Sequence, residues 1–106
     1  MNAKLHYDRA LEVWPILVEM AKNREEGTPY GKLSERINVH ARAAHWYLGV
    51  IQDACAAKGW PRLQALAING KSGLPGGGYH GVRTREAHDA ELEKVYQFAW
   101  PKEPPF

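Results

Sequence analysis

Arg42, His45, Gly49 and Gln52 stand three, four and three residues apart, the spacing that lays one stripe along one side of an α-helix. Arginine, histidine and glutamine carry groups that reach phosphate oxygens and base edges, and a glycine among them lets one backbone approach another. A helix entering a DNA groove presents such side chains near its N-terminus. The chemistry this suggests is recognition of a polyanion. Glycine inside a helix costs roughly 1 kcal/mol relative to alanine, so Gly49 requires a reason. It either admits a partner's backbone or makes room for a bulky neighbour such as Trp14 or Trp60. Arg42 is either a solvated helix start or a contact to phosphate or base, and contact is the reading adopted.

Three other chemistries are set aside. The Gly-Lys-Ser of INGKSG belongs to a phosphate-binding P-loop only if a glycine precedes it by the right interval and a helix follows; Ala65 stands at that position and a glycine-rich stretch follows. The five histidines include no HExxH pair, and His40 and His45 are five apart, on different helix faces. Cys55, the only cysteine, falls on an apolar stripe without a base at helical spacing, as a small core residue does. One cysteine makes no internal disulfide, which fits a reducing compartment. No catalytic residues, metal or cofactor are expected.

The charge is unevenly spread. The net charge is +2, yet residues 27–85 hold eight Lys and Arg against only Glu35 and Asp53, a balance of +6. Residues 1–26 balance at −1 and residues 86–106 at −3. A basic middle between acidic ends suits a surface that meets a polyanion. Lys32, Arg36, Lys71, Arg83 and Arg85 are the candidate phosphate contacts beside the Arg42 stripe. Charges at Lys4, Asp8, Arg9 and Glu12 stand where a signal peptide needs an apolar run, so none is expected, and no run approaches the roughly 20 apolar residues of a membrane span. A cytoplasmic protein without membrane contact is expected.

These residues need elements to hold them. In 106 residues one core is expected. Leu11, Trp14, Leu17, Val18 and Ala21 give residues 5–22 one apolar helical face, with Trp14 in the core and Pro15 marking a kink or a helix restart. Thr28 is placed to cap a second helix with Pro29 in its first turn and Leu33 and Ile37 inward. After a turn over residues 38–40, a third helix runs from Ala41 to Lys58 and ends at a left-handed Gly59; Ala44, Leu48, Ile51 and Cys55 face inward. Residues 63–69, LQALAIN, have the length of a buried strand, and Asn69-Gly70 signals a turn. A glycine-rich wing follows, and Thr84 caps a last helix whose Leu92, Val95, Tyr96 and Phe98 offer apolar contacts. Trp46, Tyr47 and Trp60 complete the core or form a dimer face. The tail packs through Trp100 and Phe106 or stays loose.

TPYGKLSERI, ARAAHWYLG and AINGKSGLPGGGY resemble, in that order, the DNA-binding domain of the alkylguanine-DNA alkyltransferases and the alkyltransferase-like proteins. The resemblance spans about half the chain. It implies a winged-helix fold, with Tyr30 as the tyrosine near the target phosphate, Arg42 as the arginine that fills the space of a flipped nucleotide, and Tyr79 as the tyrosine of the glycine loop. Both tyrosines either stack on an unpaired base or pack. The departures are definite. Where the family carries Pro-Cys-His-Arg, residues 64–67 read QALA, so an acceptor cysteine is lacking, as are the tryptophan and histidine of the alkyltransferase-like proteins. His45 replaces a glycine, the turn before Arg42 is shorter and the glycine loop longer. The chain is also similar to small uncharacterised bacterial and phage proteins with a YG-x-L, L-x-x-IQD-x-C and TGLPG-x-G pattern, which carry over no activity.

The sequence therefore predicts an α+β, mostly helical winged helix-turn-helix: support helix over 1–26, helix-turn-helix over 27–58, strand or hairpin with glycine-rich wing over 59–83, closing helix and tail over 84–106. DNA is the expected partner, bound without catalysis, with distorted or alkylated DNA as the form the resemblance implies. The alternative is a small phage or prophage interaction protein whose basic face binds and inhibits an acidic protein or nucleoprotein complex.

Overall fold

The computed structural model describes residues 3–71, 73–74 and 84–106. Residues 72 and 75–83 of the expected glycine-rich wing, with Tyr79 and Arg83, lie outside the described residues. The architecture is α+β and mostly helical: α1 (Ala3–Lys22), β1 (Thr28–Pro29), α2 (Tyr30–Glu35), a 3-10 turn (Ala41–Ala43), α3 (Ala44–Lys58), a second 3-10 turn (Leu63–Leu66), β2 (Ala67–Ile68) and α4 (Arg85–Gln97). Among the described residues the sheet is two strands, paired in parallel with Thr28 opposite Ala67 and Pro29 opposite Ile68.

α1 forms because its apolar residues recur at helical spacing, but the buried face differs from the expected one. Ala10, Val13, Trp14, Leu17, Val18, Met20 and Ala21 are buried, whereas Leu11 is 40% exposed. Ala10 and Val13 take the inward positions, and Leu11, one residue on from Ala10, is rotated by about 100° to the rim. Pro15 lies inside this helix, so the restart does not occur. α1, α2 and α3 share one way of stopping. Within three residues of each helix end the chain turns left-handed, at Arg24 (φ 51°), Asn38 (φ 57°) and Gly59 (φ 69°). The amides that follow bond back to the last turn: Glu25 to Met20, Val39 to Ser34 and Trp60 to Cys55, at 3.0 Å each.

Two expectations about the middle of the chain are corrected. Thr28 does not cap α2; it belongs to β1, and α2 begins after Pro29 without a side-chain cap. Residues 63–69 are buried as expected, but Leu63–Leu66 coil into a 3-10 turn and only Ala67–Ile68 are extended. Leucine and alanine dominate this run and Ile68 is its only β-branched residue, so burial rather than strand preference sets its shape. The Asn69-Gly70 turn is present: the Lys71 amide donates to Asn69 Oδ1 at 2.8 Å, and Asn69 N to the Leu74 carbonyl at 2.8 Å.

Trp14 is fully buried at the centre of the core. Its ring meets Trp60, Trp100 and Phe106 at centroid distances of 6.5, 5.8 and 5.8 Å. Its indole N–H donates to the Pro101 carbonyl at 3.2 Å, and that of Trp100 to the Val95 carbonyl at 2.7 Å. The tail is therefore part of the core. Thr84 caps α4 as expected, accepting from the Ala87 amide at 3.2 Å.

Between α2 and α3 the fully buried Ser34 and Tyr47 hydroxyls share a hydrogen bond of 2.8 Å. Removing either partner leaves the other desolvated and unpaired, which costs about 1–3 kcal/mol, while removing both is nearly neutral in that respect. Tyr47→Phe and Ser34→Ala are each expected to destabilise by about 1–3 kcal/mol. The double variant is expected to lose clearly less than their sum, as read by urea denaturation.

Candidate nucleic-acid interface

The start of α3 is built by its neighbours. His40 stands before the 3-10 turn and its Nδ1 accepts from the Arg42 amide at 3.2 Å, satisfying one of the otherwise unpaired first donors. Ala43, Ala44, Tyr47, Leu48, Ile51 and Cys55 are buried, so the inward stripe is as expected with Tyr47 added to the core. Burial pushes the Tyr47 hydroxyl up from its usual value, offset in part by the Ser34 bond. Burial also pushes the Cys55 thiol up, so it is held protonated and inaccessible.

The opposite side leaves Arg42 and His45 exposed, with Gly49 half-exposed. A Cβ placed on Gly49 meets nothing within 4 Å, which removes the packing explanation involving Trp14 or Trp60. Gln52 departs from the expected stripe. It is half-buried, and its Oε1 accepts from Gln64 Nε2 at 3.5 Å, so it is engaged within the protein rather than offered to solvent. Lys32 and Arg36 are exposed on and just after α2, the element packed against the 3-10 turn that carries Arg42. Tyr30 is half-buried and packs against the core. Lys71 is exposed in the turn after β2.

Arg85 lies in other surroundings. It lines a cleft of about 680 Å3 with Arg24, Glu26, His88, Asp89, Glu93 and Tyr96. Arg24 bridges to Glu93 at 3.1 Å and stands over the Tyr96 ring at 5.4 Å. The Tyr96 hydroxyl donates to the Glu25 carbonyl at 2.6 Å, tying α4 to the end of α1. Hydrogen bonds from Gln97 and then Arg24 hold the Glu93 carboxyl below its usual value, keeping it charged. Three carboxylates against two guanidiniums make this cleft a poor seat for phosphate. Arg62, a further cation of the basic middle, is tied to the buried Glu91, by its amide at 3.1 Å and its guanidinium at 3.3 Å. The positive charge left open to solvent on and beside α2 and at the start of α3 is that of Lys32, Arg36 and Arg42. Among the described residues there is no cluster of His, Cys, Asp and Glu able to hold a metal, and no helix long and apolar enough to cross a membrane.

One exposed residue was not among the candidates. Trp46 is 44% exposed, its ring parallel to that of His6 on α1 (5.1 Å, 12°) and edge-on to His45 (5.1 Å, 75°). The signal was present in the sequence, because Trp46 follows Arg42 by four residues and so shares its side of the helix. No family model, curated protein or solved structure matches the chain.

Two glycines separate structural need from open surface. Gly27 has φ +135°, a region nearly closed to other residues, and a Cβ there meets the Leu66 carbonyl at 3.2 Å. Gly27→Ala is expected to destabilise by about 1–3 kcal/mol. Gly49→Ala is expected to stabilise by about 0.5–1 kcal/mol, because helix propensity rises and nothing is displaced. Thermal denaturation of the two variants checks both signs.

Proposed function

We propose that this chain is a non-catalytic DNA-binding protein that reads DNA with the face formed by α2 and the start of α3. The observation that carries the reading is the exposure of Arg42 and His45 beside Gly49, whose missing side chain leaves open space where a groove or backbone can approach. Arg42, Lys32 and Arg36 supply charge to the phosphates, His45 lies nearest the base edges, and Lys71 extends the charge toward the turn after β2. In this reading α2 and α3 are the two helices of a helix-turn-helix, the glycine-rich segment is its wing, and the protein acts in the cytoplasm.

The resemblance to the alkyltransferase-like proteins extends the proposal to distorted or alkylated duplexes. Transfer of an alkyl group has no support: Ala65 and its neighbours are buried where the acceptor would stand, and the one thiol is buried and held protonated. A second reading, a phage-type interaction protein that inhibits a partner, is favoured by one feature, the large apolar side chains Leu5, Tyr7, Leu11 and Trp46 that remain about 40% exposed.

The test is fluorescence anisotropy of labelled duplex across a salt series, for the wild type and Arg42→Ala, with one duplex carrying an alkylated guanine. Log affinity is expected to fall linearly with log salt, each phosphate contact contributing about 0.9 to the slope. Arg42→Ala is expected to weaken binding and, where Arg42 meets phosphate, to reduce the slope by about 1. Absence of binding at low salt, or binding indifferent to Arg42, Lys32 and Arg36, overturns the reading.

A further inference from the structure

We infer that Trp46 is a stacking platform for an unpaired base, so that the α2–α3 face prefers single-stranded DNA, or a strand opened within a duplex, over intact double helix. The inference rests on the DNA-binding reading and deepens it. The indole is held rather than loose. His6 lies parallel to it at 5.1 Å, covering one face, while His45 stands edge-on at 5.1 Å beside it. Both ring nitrogens of His6 are buried and find no hydrogen-bond partner among the described residues. A histidine placed for polar contacts would not be left so; what this imidazole does in the fold is set the plane of Trp46.

The indole nevertheless keeps 44% of its surface open. Trp14 and Trp100 are buried and Trp60 half-buried, which leaves Trp46 as the tryptophan available to a ligand. Arg42 lies four residues before it, on the same side of the helix, and is exposed. A cation one turn from an open aromatic ring matches the two halves of a nucleotide, phosphate on the guanidinium and base on the indole. Arg42, in the 3-10 turn that leads into α3, and His45, in the first turn of α3, make the surface beside the ring basic and hydrogen-bonding. The only acid on α3, Asp53, is seven residues further along. The aliphatic neighbour on this helix, Val50 four residues on, is half-buried against the core, so the exposed groups next to the ring are the cation and the imidazole, which complement a nucleotide. In an intact duplex the base faces are stacked on one another, so this contact is open only to an unpaired base.

The test uses the full chain and two oligonucleotides of equal length, one single-stranded and one duplex, with affinity read by anisotropy and stacking by quenching of intrinsic tryptophan fluorescence. Trp46→Ala is expected to weaken single-strand binding roughly 5- to 100-fold, the range of a lost base–aromatic contact, and to abolish most of the quenching. Duplex binding is expected to stay within about two-fold. Trp46→Phe keeps a ring and is expected to retain most of the single-strand affinity; Trp46→Leu, apolar but not aromatic, is expected to behave as Trp46→Ala, which guards against a fold defect in any one variant. His6→Ala, which frees the indole, is expected to weaken single-strand binding less than Trp46→Ala. Equal losses on single strand and duplex, unchanged single-strand affinity in Trp46→Leu, or no quenching on binding overturns the inference while leaving the DNA reading in place. Failure of the wild type to bind either form overturns both.

Discussion

A single buried hydrogen bond fixes the relation between the two helices on which the candidate interface stands. Ser34 and Tyr47 are both fully buried, and each hydroxyl is the partner that makes the other's burial tolerable. Apolar contacts allow two helices to slide; a bond of 2.8 Å between α2 and α3 allows one register. With Tyr47 drawn inward beside Ala44, Leu48 and Ile51, helical geometry turns Arg42, His45 and Trp46 outward. The turn between the helices is held from both sides, by the left-handed Asn38 ending α2 and by His40 capping the start of the next turn.

The rest of the molecule makes that pair rigid. Trp14 of α1, Trp60 just after α3, and Trp100 and Phe106 of the tail form one aromatic cluster, so both ends of the chain and the end of α3 meet in it. Both buried tryptophans give their N–H to a backbone carbonyl of the chain's last segment, as large amphipathic rings require when they leave water. On the other side the bridge from Arg24 to Glu93 and the Tyr96 bond to Glu25 close α4 onto the end of α1. Asp89 and Glu93 of α4 line a cleft there with Arg24 and Arg85. Lys32, Arg36 and Arg42 are not among its lining residues.

Helical periodicity made α1, α3 and α4 readable, and the two ends marked by chemistry, Gly59 and Thr84, fell where turn and cap preferences put them. The inward stripe of α3 was readable for the same reason. Residues 63–66 were not, because a short apolar run has no period to separate a strand from a tight helical turn, and burial satisfies both. The pairing of Thr28 with Ala67 joins segments distant in sequence, and no local preference announces it; the cap assigned to Thr28 failed on that account. Within the candidate site, the exposure of Arg42 and His45 followed from spacing. Gln52 did not follow, since its partner Gln64 comes from a turn that was itself misread, and the stacking of His6 on Trp46 is a contact between helices that only the packed molecule reveals.

The proposed DNA binding requires that the α2–α3 face, not the cleft beside α4, receive nucleic acid. The direct measurement is the nuclear magnetic resonance spectrum of the 15N-labelled protein titrated with a short oligonucleotide at low salt. Shift changes concentrated in residues 32–36 and 41–49 are expected, with the amides of residues 24–26 and 89–96 unmoved. Changes confined to the cleft residues, or a spectrum that DNA leaves unaltered, would contradict it.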